Sequence, residues 1–232
     1  MSLAGILDSS VTYRTADQIN QSMGRVYGHM SIAVLISMIV SYFVGTTPEL
    51  LQFFFTGVTK WIVIFAPLLY ILMVPVLLNA GIGRLGAMLV LDSFAALMGL
   101  SFATIFAAYT MSSIFTAFMG AGVLFGVMSL YGYFTKQSLD SIGKYLFVGL
   151  IAIVIASIIN LFVGSTVAQM VISAVAIVIF LGLTAYDTQK IREELYESGD
   201  TTVAEVSGAL TLYLDFINLF LSLLQLFGDK KE

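Results

Sequence analysis

Seven apolar stretches of 20 to 24 residues recur along this chain of 232 residues and leave few folds open to it. A helix of about 20 residues crosses the roughly 30 Å hydrocarbon core of a bilayer. Backbone polar groups inside lipid must be satisfied within each segment, which favours a helix for every stretch. The sequence therefore predicts an all-α, polytopic membrane protein with seven transmembrane helices. Their expected ranges are 27–46, 59–79, 86–109, 113–134, 144–163, 167–188 and 206–227.

Composition agrees with a membrane protein and excludes several functions. Hydrophobic residues make up 59% of the chain and charged residues only 10%, whereas soluble domains carry roughly 25% charged residues. The net charge of −4 argues against nucleic acid as a partner. The chain has no cysteine, so disulfides, thiolate metal sites and cysteine nucleophiles are excluded. Neither a nucleotide-binding motif nor a cofactor motif is present, and we expect no enzymatic activity.

The distribution of lysine and arginine predicts the orientation of the chain. The polar segment 1–26 is expected to be a cytoplasmic N-terminal segment, followed by a membrane domain over 27–232. With the N-terminus inside, seven basic residues lie on the cytoplasmic side and three on the other. Two of those three are Lys230 and Lys231, which fit better inside. The side of the C-terminus therefore stays open, as does a re-entrant form of the seventh stretch.

Two polar segments flank the apolar stretches. Thr15 and Gln18 have the spacing of a capping box, so a short helix is expected to run from about residue 16 into the first span, with a location along the cytoplasmic membrane surface as a possibility. Segment 188–205 is expected to extend the sixth helix and to turn near Ser198 and Gly199. Its acidic residues form either a vestibule for cations or, by preference, a plain solvated loop.

Asp187 and Asp215 lie inside the sixth and seventh stretches. A carboxylate at the centre of a membrane helix costs about 2.5–3.5 kcal/mol, so such residues are functional candidates. The topology places both of them, and Asp92 of the third stretch, in the cytoplasmic half of the bundle. If the sixth and seventh helices pack together, Asp187 and Asp215 approach one another. Two close carboxylates in a low dielectric share a proton and titrate as a unit.

The same carboxylates, when ionised, suit a hard cation such as calcium. A tight calcium site takes about 6–8 oxygens, so two carboxylates fit weak, transient binding. Asn218 lies one turn beyond the second aspartate and is expected to donate to it or to line an ion path. Arg84 is a possible counter-ion to an aspartate, with contact to a lipid headgroup as the favoured alternative. Gly122 and Gly126 predict a closely packed helix face.

Three strings resemble the Bax inhibitor-1, or transmembrane Bax inhibitor motif, family, and its bacterial inner-membrane branch in particular. They are GLTAYDTQKI, GALTLYLDFINLFLSLLQLFG and MSLYGYFTKQSLDSIGKYLFVGLI. The resemblance implies a seven-helix bundle in the bacterial inner membrane, with the last helix at its centre. It also implies a pH-sensitive calcium leak gated by the aspartate pair, here Asp187 and Asp215. In a bacterial member an arginine near the end of the second helix latches the first aspartate, and here Arg84 stands a few residues further on.

Several functions remain open at this point. The leading one is a calcium-permeable leak whose partners are lipids, protons and calcium. A second is a non-catalytic regulator of membrane proteins, since some bacterial relatives modulate the membrane-bound ATP-dependent protease. A proton-coupled calcium exchanger would use the same carboxylates. An intramembrane aspartyl protease is disfavoured, because AYD at Asp187 fits its first motif but LYLD at Asp215 lacks the glycines of its GxGD motif.

Overall fold

A computed structural model describes residues 14–197 and 201–231, which form an all-helical bundle. Seven of its eight helices are long and apolar enough to cross a membrane, which confirms the predicted class of polytopic all-α membrane protein. The exception is the short helix α2, which joins the first two spans. The helices are α1 (Ala16–Gly45), α2 (Pro48–Phe55), α3 (Thr59–Leu78), α4 (Gly83–Ala108), α5 (Met111–Phe134), α6 (Asp140–Val163), α7 (Thr166–Glu197) and α8 (Thr202–Phe227).

The spanning helices alternate in direction and give the bundle two ends. We call the end that holds the start of α1 the N-terminal end and the opposite one the C-terminal end. Helix α8 is 26 residues long and runs unbroken through Asp215, so the re-entrant alternative is wrong. The tail that follows α8 lies at the C-terminal end, where the Lys231 N–H donates to the Ala108 carbonyl at 2.9 Å.

Helix α8 is the centre of the bundle. The most apolar segment of α8 is 61% buried, whereas the most apolar segment of α6 is only 6% buried. A helix that is apolar on most of its faces is stable only when surrounded, and Leu212 and Leu219 are completely buried. The Tyr213 hydroxyl, also buried, is 2.6 Å from the Ser37 hydroxyl of α1. The central position implied by the family resemblance is confirmed.

Helix α1 begins where the capping box predicts. The Thr15 hydroxyl accepts from the Gln18 N–H at 3.3 Å, and the Thr15 N–H donates to the Gln18 side chain at 2.9 Å. The helix then runs straight into the first span, as predicted, and does not form a separate helix on the membrane surface. The reason is a buried apolar stripe at helical spacing that continues below residue 27 and includes Met23 and Val26. Residues 1–13 lie outside the described part of the chain.

Helix α7 likewise runs beyond its apolar stretch, as expected, and ends at Glu197. Ile191 and Leu195 are buried, while Glu193 and Glu197 face outward. This part of segment 188–205 is therefore an amphipathic helix rather than a solvated loop. The turn predicted at Ser198 and Gly199 falls outside the described residues.

Close approach of helices depends on other glycines than the sequence suggested. A Cβ atom at Gly132 would overlap the carbonyl oxygen of Ala185, so α5 and α7 meet there backbone to backbone. Nothing lies within 4 Å of a Cβ atom built at Gly122 or Gly126, and the packing face predicted for them is wrong. The buried face of α5 carries Ala121 instead.

Candidate functional site

The packing of α7 against α8 brings the two candidate aspartates together. Asp187 lies ten residues before the end of α7, roughly 15 Å from it, and Asp215 lies near the middle of α8. Their carboxyl groups interact directly with each other. Asp215 is 4% exposed, and its Oδ2 has no hydrogen-bond partner within the described residues. Both aspartates lie further than expected from the helix ends at the N-terminal end of the bundle, because α7 and α8 each extend beyond their apolar stretches there.

No cation balances this pair. Across residues 14–197 and 201–231, the lysines and arginines in salt bridges contact other acids, and neither Asp187 nor Asp215 takes part in one. Asp187 is half-buried and Asp215 is buried, so two acids face each other inside the bundle without a salt-bridge partner. Such an arrangement disfavours double ionisation and leaves room for a shared proton or a bound cation.

The aspartate pair lies in a cavity of about 990 Å³ lined by α6, α7 and α8. Most of the wall on α6 and α7 is apolar, with Phe147, Leu150 and Leu183 as examples. One face of α8 supplies a polar stripe, because its polar residues recur every three or four positions. We call this the polar stripe; it consists of Thr211, Asp215, Asn218, Ser222 and Gln225.

Asn218 lines the cavity, as predicted for a residue that supports an ion path. Its amide nitrogen donates to the Leu214 carbonyl of its own helix at 2.8 Å. The alternative in which this amide donates to the aspartate is therefore wrong.

Asp92 does not belong to the cavity. It is half-buried on α4, and its electrostatic partner is His29 of α1. The described residues that line the cavity come from α6, α7 and α8 alone, so the structure does not bring Asp92 together with the aspartate pair. The third span, α4, packs mainly against α1 and α3.

Arg84 has a different partner from the one predicted. Its guanidinium donates to Glu205 at 2.9 Å, and Arg25 contacts both oxygens of the same carboxylate at 2.6 and 2.9 Å. The Ser22 hydroxyl donates to Glu205 at 2.7 Å. We call these four residues the Glu205 cluster. The prediction that Arg84 is a counter-ion to an aspartate is therefore corrected: its acidic partner is the buried Glu205, which lies at the same end of the bundle.

Glu205 was the residue that sequence reasoning missed. It was grouped with the acidic residues of segment 188–205, yet it is only 1% exposed. The available signal was its position between Ala204 and Val206, at the start of an apolar helix. Arg25 and Arg84, at the same end of the bundle, were the matching cations.

The donor set at the aspartate pair is small. The described residues contain no group of three or more histidine, cysteine, aspartate or glutamate side chains placed to hold a metal ion. Two carboxylates offer about four lone-pair oxygen sites and leave the rest of a calcium shell to water or amide oxygens. A divalent cation at this point would keep part of its hydration and exchange readily.

The fold and this site define a class: a multi-pass membrane protein with an uncompensated acidic pair at its centre. The family model described as "Inhibitor of apoptosis-promoting Bax1" matches residues 19–232. The chain belongs to this family. It is 38% identical over 218 residues to the Inner membrane protein YbhL of Escherichia coli K12, covering 90% of this chain and 92% of that one.

Similar relatives occur in distant bacteria. An uncharacterized protein of Rickettsia prowazekii, RP147, is 35% identical over 229 residues, with 94% of each chain covered. An uncharacterized protein of Deinococcus radiodurans is 34% identical over 223 residues, again with 94% of each chain covered. The likeness extends over nearly the whole bundle.

Proposed function

We propose that this protein is a pH-sensitive, calcium-permeable leak channel in which Asp187 and Asp215 form the proton-sensitive gate. The observation that carries the proposal is the location of an uncompensated carboxyl pair in a large cavity beside the central helix. The polar stripe on α8 continues from this pair toward the C-terminal end and offers a route for a partly hydrated ion.

The gate works through the charge of the pair. With one shared proton, the two carboxyl groups carry a net charge of about −1 and link α7 to α8 by a hydrogen bond. Loss of that proton leaves two negative charges that repel each other and attract a hard cation. A change in pH therefore alters both the contact between the helices and the affinity of the cavity for calcium.

The proposed orientation places the N-terminal end in the cytoplasm. Seven lysines and arginines lie at or near that end, against three at the other, as the positive-inside rule requires. A relative carries the name of an inner membrane protein, and we assign this chain to the same membrane. The aspartate gate is then reached from the cytoplasm past Lys144, which lines the cavity beside Gly143.

Calcium flux into liposomes tests the proposal directly. Purified protein is reconstituted as wild type, Asp187→Asn and Asp215→Asn, and flux is measured from about pH 6 to 8. Asparagine keeps the size and polarity of the side chain but does not ionise. We expect a pH-dependent flux in the wild type that either substitution flattens. Asp92→Asn is the matched control, because it neutralises a membrane aspartate outside the cavity and should leave the pH profile unchanged.

Two other results would redirect the assignment. Flux no greater than in empty liposomes at every pH would overturn the leak and favour a regulator of other membrane proteins, such as the membrane-bound ATP-dependent protease. Calcium uptake against its gradient, driven by an imposed proton gradient, would instead identify an exchanger.

A further inference from the structure

Four polar side chains meet at the C-terminal end of the cavity, far from the aspartate pair. The Gln169 amide of α7 donates to the Gln225 carbonyl oxygen of α8 at 2.6 Å, and the Ser173 hydroxyl donates to the same oxygen at 3.1 Å. The Asn160 amide of α6 donates to the Gln169 oxygen at 3.2 Å. We call these four residues the amide cluster. They form a continuous chain of hydrogen bonds across three helices.

This chain of hydrogen bonds bridges the gap between α6 and α8, which do not pack closely against each other. Helix α6 packs against α7, and α7 packs against α8, but α6 and α8 make no extensive contact with each other. The cavity occupies the space between them. Asn160 and Ser173 are buried, at 9% and 1% exposure, while Gln225 is exposed. The amide cluster therefore reaches from the protein interior to the surface at one end of the cavity.

The base of the amide cluster is held in place. Asn160 accepts from the Ser165 N–H at 3.1 Å and donates to the Ser165 carbonyl at 3.2 Å, which fixes the connection between α6 and α7. Gln225, in contrast, is tied to the cluster only through its side-chain oxygen. A change of its rotamer would break both of these hydrogen bonds. Gln225 is thus the element of the cluster that can move most easily.

We propose that the amide cluster is a second constriction of the ion path, with Gln225 as its movable part. This inference rests on the proposed leak function for the identity of the ion, while closure of the cavity by the amides stands on its own. The polar stripe leads from Asp215 to Gln225 over ten residues, roughly 15 Å, so a cation moving along it meets the amide cluster next. Amide side chains do not titrate, so this constriction closes the cavity equally at every pH. Their oxygens are ligands that a hard cation accepts when the constriction opens.

Thiol accessibility tests the closure without requiring any ion flux. The chain has no cysteine, so Ser222→Cys introduces a single thiol. Ser222 is 7% exposed and lines the cavity on the inner side of Gln225. A membrane-impermeant, positively charged methanethiosulfonate is applied to the side that carries the C-terminal tail. We expect slow labelling of Ser222→Cys alone, and labelling at least ten times faster when Gln225→Ala is added.

Two further variants separate closure from misfolding. Gln169→Ala removes the hydrogen bond to Gln225 and the one from Asn160, and should also accelerate labelling. Gln52→Ala removes an exposed glutamine from α2, which lies at the same end of the bundle outside the cavity, and should leave the rate unchanged. Each variant must elute as a single symmetric peak on size exclusion in detergent.

Flux measured on the same proteins then distinguishes the two proposals. If the leak is real, Gln225→Ala should raise calcium flux several-fold at each pH and keep the pH profile of the wild type. Unchanged labelling in both Gln225→Ala and Gln169→Ala would overturn the constriction, whatever the flux. Faster labelling with no flux in any variant would overturn the leak and leave the amide cluster as the closure of the cavity.

Discussion

Two buried acids on the central helix lie in opposite electrostatic surroundings. Glu205 and Asp215 are 1% and 4% exposed and lie ten residues apart on α8. Glu205 is contacted by two guanidinium groups and a hydroxyl. Asp215 faces a second acid, and one of its oxygens is unpartnered within the described residues. Burial alone therefore does not distinguish these two acids, whereas the balance of charge around each of them does.

The position of each acid along α8 explains the difference. Glu205 lies in the first turn of the helix, where Arg25 and Arg84 bind it while remaining 36% and 44% exposed. These cations keep part of their hydration, so the ion pairs avoid much of the desolvation penalty of a fully buried pair. The Glu205 cluster ties α1, α4 and α8 together. Asp215 lies ten residues further along α8, beyond these two arginines, and in the function proposed above a proton or a transported ion balances its charge.

The largest effect should follow from removing both arginines. In Arg25→Ala/Arg84→Ala the buried carboxylate of Glu205 loses its cations, and we expect the free energy of unfolding to fall by about 3–5 kcal/mol. Adding Glu205→Gln removes the uncompensated charge and should restore much of that loss. The midpoint of thermal aggregation in detergent, followed by fluorescence-detected size exclusion, measures both changes. Equal midpoints for the double and triple variants would contradict this account of the Glu205 cluster.

A smaller and opposite effect is expected at the other acid. Asp215→Asn removes a charge that nothing balances, so the free energy of unfolding should stay within about 1 kcal/mol of the wild type or increase. Glu205→Gln is the comparison, since it weakens charge-assisted hydrogen bonds and should lower stability by about 1.5–3 kcal/mol. The same heating assay ranks the two variants. If Asp215→Asn proved the less stable one, Asp215 would be a structural acid.

The smallest effect should come from the exposed ion pairs of α7. The Lys190 ammonium lies 3.9 Å from Asp140 and 3.7 Å from Glu193, and all three side chains are at least half exposed. Water and salt screen such pairs, so Lys190→Ala should change the free energy of unfolding by less than about 1 kcal/mol. A midpoint indistinguishable from the wild type at low and at high salt is the expected result. A large, salt-sensitive loss would mean that surface charge matters here as much as the Glu205 cluster.

The sequence was sufficient for the fold class and for placing the two aspartates in the same half of the bundle. Stretches of at least 20 apolar residues permit few structures in a bilayer. Since consecutive spans run in opposite directions, the positions of Asp187 and Asp215 in their helices put both in the cytoplasmic half. Only the packing of α7 against α8 had to be supplied by the structure.

Features beyond the apolar stretches were harder to foresee. Apolar runs end at the water interface, while α1 and α7 continue past it on buried stripes that include Met23 and Leu195. The burial of Glu205 depends on three helices meeting at one point, which no local pattern reveals. The sequence indicated only part of the polar stripe. Ser222 and Gln225 could not be recognised as members, because they are defined by the gap between α6 and α8 that they face.

The central location of α8 sets a condition on how the protein is made. A ribosome delivers α1 through α7 to the bilayer before the helix around which they pack has been synthesised. Until then, the faces that will hold Leu212, Tyr213 and Leu219 have only lipid or one another to contact. The six earlier spans therefore remain incompletely packed in the bilayer. The bundle reaches its final packing only when translation of α8 is complete.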